Sequence, residues 1–131
     1  MGEPIFVPVS AGELLDKKTI LEIKRERIKD HAQLANVERE LALLTSIARN
    51  LMGGTGRAPD IDQLEIQLRH INSGLWDLEN AVRAFERAGS FGEDFIDAAR
   101  RIYAGNDARA ALKRQINLLL QSSIIEEMNH T

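Results

Sequence analysis

The 131-residue chain has no cysteine, which excludes a disulfide framework, a zinc–thiolate site and a thiol nucleophile. It also lacks any apolar run near the roughly 20 residues that cross a bilayer. Charge of one sign is not in excess: 17 basic against 20 acidic residues leave a net charge of −3. A nucleic-acid or anionic-membrane binder would carry a basic footprint, so neither partner class is expected. The opening Met1-Gly2-Glu3-Pro4 has neither the basic nor the apolar region of a signal peptide. Phe6 stands where a myristoylation signal needs Ser or Thr. A cytoplasmic location is therefore expected. What the chain does have is 44% hydrophobic and 28% charged residues, the balance of an ordinary globular domain. Its length suits one domain, residues 1–131, with a core that needs neither metal nor disulfide.

Two of the three prolines lie in the first nine residues, Glu3-Pro4-Ile5-Phe6-Val7-Pro8-Val9. Proline and β-branched residues exclude a helix here, so residues 1–9 are read as an extended N-terminal arm laid on the body or on a neighbouring subunit. Ser10 with Glu13 is a capping box, which starts a first helix running to about Asp30. Asp30 with Gln33 starts a second, whose stripe is Leu34, Val37, Leu41, Leu44, Ala48 and Leu51. Gly53-Gly54-Thr55-Gly56 stops it, and residues 53–60 form a glycine-rich linker. The third helix begins near Asp60 and Gln63. Its stripe, Ile61, Leu64, Leu68, Ile71, Leu75, Leu78, Val82 and Phe85, spans about 28 residues, or roughly 42 Å, up to Gly89. Ser90 with Glu93 opens a fourth helix ending at Gly105, and Asp107 caps a fifth carrying Leu112, Ile116 and Leu119. The predicted fold is all-α: a bundle of about five helices with a long central third helix and an extended arm.

Catalytic signatures are missing. The Gly53–Gly56 loop joins two helices and lacks the Lys-Ser/Thr of a P-loop. His31, His70 and His130 are too scattered for a metal site, and Glu127-x-x-His130 is one copy of a pattern that needs two on facing helices. No serine sits in a nucleophile elbow. No cofactor and no metal are expected, and the balance leans away from an enzyme.

Charges on the first helix are more informative. Glu13, Lys17, Ile20, Lys24 and Arg27 form a stripe beside Leu14, Leu21 and Ile28. Apolar residues on two sides place these charges between two neighbours, where they need partners. Candidate partners are Asn72, Trp76, Glu79 and Arg83 on the third helix, and Asn106, Asp107, Arg109, Lys113 and Asn117 on the fifth. Where those faces meet, they make either a pocket for a small anionic or sugar-phosphate ligand or an ion-pair network that fixes helix register. The two use the same residue types at the same spacing.

These residues also resemble a family of short bacterial proteins known as a domain of unknown function. The resemblance rests on Val9-Ser10-Ala11-Gly12-Glu13-Leu14-Leu15-Asp16-Lys17 and Thr19-Ile20-Leu21-Glu22-Ile23-Lys24, then Asn72, Leu75-Trp76-Asp77-x-Glu79 and Arg83. It continues with Asn106-Asp107-x-Arg109-Ala110, Lys113-Arg114, Ile116-Asn117 and Glu126-Glu127. Family members often follow the paired glutamates with Lys and Tyr, where this chain has Met128-Asn129-His130-Thr131. The resemblance implies no mechanism, but it implies a setting beside sugar-transferring enzymes of cell-surface polysaccharide synthesis. The first helix, with Asp16, Ile20-Leu21, Ile23 and Arg27, is also similar to that of all-helical chorismate mutases, which work by electrostatic positioning. Two readings follow: a non-enzymatic binding or protein-interaction module forming a homo-oligomer, or a small all-α enzyme or ligand-binding protein acting on an anionic metabolite.

Overall fold

The computed structural model describes residues 2–52, 58–121 and 127, and all the regular structure in them is helical: α1 Ala11–Arg27, α2 His31–Met52, α3 Ala58–Ala88 and α4 Glu93–Leu119. Four helices replace the expected five, because α4 runs unbroken through Gly105. That glycine answers a packing demand: a Cβ there would lie 2.7 Å from Leu75 Cδ2 on α3. Glycine within a helix costs about 1 kcal/mol relative to alanine, and here it leaves room for the Leu75 side chain. Asn106 and Asp107 consequently lie inside a helix rather than at its cap.

Helix boundaries follow local chemistry. Ser10 caps α1, its Oγ accepting from the Glu13 amide at 3.0 Å. The Glu13 carboxylate reaches across to α4, where it accepts from Lys113. Helix α1 ends three residues before the expected Asp30, and the Ile28 amide donates to the Lys24 carbonyl at 2.9 Å. Asp30 then begins α2, its carboxylate accepting from the Gln33 amide at 2.9 Å. At the end of α3, Gly89 has φ +65°, Ser90 N–H donates to the Phe85 carbonyl and Gly89 N–H to the Glu86 carbonyl. This paired pattern with a left-handed glycine is a Schellman stop. It engages Ser90 in the turn, so the cap of α4 shifts from the expected Ser90 to Gly92, which offers no side-chain bond. Phe91 and Phe85 pack edge-on against Phe95 across the turn. Of the expected linker, residues 53–57 lie outside the described residues, and 58–60 are the first turn of α3. Residues 122–126 lie outside them too, as does His130.

The longest helix is not the central one. Helix α3 has 31 residues, but it is the 17-residue α1 that packs against all three others. Its buried positions, including Ala11, Leu14, Leu15, Asp16, Thr19, Leu21 and Ile23, go most of the way round the helix. Such a helix has no clean apolar stripe, because burial on several sides removes the polar face. The main core joins Leu14 and Leu15 to Ala48, Ile61, Leu64, Leu68, Leu112 and Ile116. A smaller cluster joins Leu21 to Val37 and Leu41.

Candidate functional site

Helices α1 and α4 run antiparallel, and their polar residues meet in rungs. Gly12 N–H donates to Asn117 Oδ1 at 2.6 Å, and Lys113 Nζ donates to Glu13 at 2.5 Å. One turn further, the Arg109 guanidinium grips Asp16 with two donors. Its Nε lies 2.9 and 3.0 Å from the two carboxylate oxygens, and Nη2 donates to Oδ2. Lys113 Nζ adds a second positive charge 3.8 Å from the same carboxylate. Helix α3 enters through Asn72, whose Nδ2 donates to Asp16 Oδ1 at 2.8 Å and to Thr19 Oγ1 at 2.9 Å. Thr19 in turn donates to the Asp16 carbonyl at 2.7 Å.

Asp16 is the hub. It is 0% exposed, and Ser10, Thr19, Asn72 and Asn117 are buried with it. A lone carboxylate at such a site would be strongly disfavoured, so its stability depends on the arginine, the lysine and the amide. The Arg109 guanidinium is held above its ordinary pKa mainly by the hydrogen bond to Asp16, which outweighs the opposing effect of its own burial. Among the described residues, no buried side-chain nitrogen or oxygen is left without a hydrogen-bond partner.

Of the twelve residues singled out in the sequence, the structure gathers Glu13, Asn72, Arg109, Lys113 and Asn117 here. The other seven stand apart. Lys17 pairs with Glu40 on α2 at 3.1 Å. Trp76 is half-buried under Arg27, whose guanidinium lies 5.9 Å from the ring and pairs with Asp77. Lys24 and Asn106 are half-buried, while Glu79, Arg83 and Asp107 are exposed, and none of these five bonds to the cluster. Sequence reasoning missed Asp16 and Thr19 as site residues. The signal was the polar recurrence Ser10, Glu13, Asp16, Thr19 at every third position amid leucines. It was masked by the neighbouring Glu13–Lys17–Lys24 stripe, half of which faces α2 or solvent. Among the described residues no group of His, Asp or Glu is arranged to hold a metal, and no helix is long and apolar enough to cross a membrane.

A second feature borders this cluster at Glu13. Helix α2 and the start of α1 form a groove with a cavity volume of about 1150 Å³, lined by Leu14, Leu43, Leu44, Ile47 and Leu51, with Leu120 at one end. The arm forms its remaining wall, yet Ile5, Phe6 and Val7 stay 90%, 71% and 67% exposed.

The molecule is thus an all-helical bundle whose shortest helix is clasped by internal charged rungs, with an open apolar groove beside the clasp. The chain belongs to DUF6165, a family of unknown function whose model matches residues 5–131. No curated protein and no solved structure matches it.

Proposed function

We propose that this protein is a non-enzymatic, cytoplasmic protein-interaction module, and that its binding element is the apolar arm together with the groove between α1 and α2. In this reading the Asp16–Arg109 cluster fixes the register of α1 and holds no ligand. The observation that carries it is a contrast within one molecule. Every buried side-chain nitrogen and oxygen of the charged cluster has an internal partner, whereas Ile5, Phe6 and Val7 are exposed beside an apolar groove. Contiguous exposed apolar surface is what protein-binding sites present. The groove's volume of about 1150 Å³ exceeds the roughly 300–1,000 Å³ typical of small-molecule pockets, which suits a peptide segment better than a metabolite. The family resemblance supplies a setting, cell-surface polysaccharide synthesis, in which such a module would act on sugar-transferring enzymes.

The test uses the full chain carrying Ile5→Ser, Phe6→Ser and Val7→Ser, which leaves the groove without an apolar arm of its own. A labelled peptide of residues 2–10 titrated into this variant is expected to bind saturably, read by fluorescence anisotropy. No binding by a variant that melts like the wild type would refute the groove as a binding element.

A further inference from the structure

Resting on that reading, we infer that the groove's occupant is the arm of a second copy of this chain, so that two protomers exchange arms about a two-fold axis. The arm walls its own groove without burying its apolar side chains in it. Pro4 and Pro8 fix their own φ angles and hold Glu3 and Val7 extended. Ser10 continues that conformation into the helix cap, with φ −73° and ψ 162°. Residues 2–9 form no backbone–backbone hydrogen bond among the described residues. The result is an extended, eight-residue strap along one side of the groove, with Ile5, Phe6 and Val7 still largely exposed to water.

The surface available matches what a dimer needs. Ile5, Phe6, Val7 and Val9 are 90%, 71%, 67% and 47% exposed. At roughly 100–200 Å² per side chain they offer on the order of 450 Å² per arm; matched by groove and doubled by symmetry, the total is roughly 1,800 Å², within the standard interface range of about 1,200–2,000 Å². One arm on one groove would bury half of that, below the usual threshold. Reciprocity is therefore what makes the contact stable, and exchange of an identical element is a low-cost route to it.

Light scattering on the intact protein is expected to give twice the 14.7 kDa chain mass, and the triple serine variant is expected to be monomeric. A second full-length variant, Leu43→Asp, charges a groove wall that is already 37% exposed, so its fold should survive, and it too should be monomeric. Mixing the two monomeric variants at high protein concentration should give a heterodimer weaker than the wild-type dimer, because the intact arm of one meets the intact groove of the other and only one of the two contacts is present. Failure of the mixture to associate, or persistence of a dimer in either variant, would overturn arm exchange. A monomeric wild type whose serine variant still binds the arm peptide would overturn the second copy as occupant while leaving the groove reading intact. Loss of peptide binding would overturn both.

Discussion

Removing Arg109 would leave a carboxylate with no water around it, since Asp16 is fully buried and takes three hydrogen bonds from that guanidinium. Arg109→Met should cost about 3 kcal/mol, the low end of the range for breaking a buried pair. Lys113, 3.8 Å away, can take over part of the compensation. Asp16→Leu combined with Arg109→Met removes both charges, and should cost well under the sum of the single changes in a urea-denaturation cycle. Strict additivity would show that the two side chains are not energetically coupled. The sign of the pH effect is also fixed. A guanidinium whose folded pKa is raised stabilises fully below its unfolded value and loses that contribution only as pH rises through the folded one. The stability gap between wild type and Arg109→Met should therefore not narrow between about pH 7 and pH 10. A gap that closes across that range would contradict the assignment.

At the scale of elements, two glycines hold helices together for different reasons and should respond differently to alanine. A Cβ on Gly12 would press on the Lys113 carbonyl oxygen and lie 2.9 Å from Asn117 Oδ1, so it meets α4 backbone that cannot rotate aside. Gly12→Ala should cost about 1–3 kcal/mol by parting α1 from α4. A Cβ on Gly105 meets only the end of the flexible Leu75 side chain. Repacking is open to it, and alanine regains about 1 kcal/mol of helix propensity, so the net change should be small. Thermal melts of the two variants would order them; Gly105→Ala as the worse would contradict this packing. Ser10→Ala removes the cap of the central helix and should cost about 1 kcal/mol.

The same elements show what the sequence carried. The stripes of α2 and α3 and the stop at Gly89 were legible because a helix buried on one side writes its period plainly. The continuity of α4 was not, since Gly105 reads as a terminator and its Leu75 partner lies thirty positions earlier. Five of the cluster's seven side chains were legible and two were not, for a similar reason. Arg109, Lys113 and Asn117 recur every four residues on one face, whereas Asp16 is a lone acid in a leucine-rich turn whose partners are known only once α1 is placed against α3 and α4. The central role of α1 was hidden as well, because a helix packed on three sides loses the periodicity that would announce it.

Taken whole, the molecule keeps its buried carboxylate inside the clasp and leaves apolar surface exposed at the arm and groove beside it. The exposed Arg69–Glu26 ion pair between α1 and α3 contributes little to stability. The proposed binding element is the arm and its groove, where Phe6 and Leu43 are both accessible. Native mass spectrometry of the gently purified full-length protein puts this division to its most direct test. The account predicts a dimer of unadorned chains. A monomer carrying a reproducible extra mass of a few hundred daltons, released on denaturation and missing from Lys113→Ala, would contradict it and make the charged cluster a ligand site.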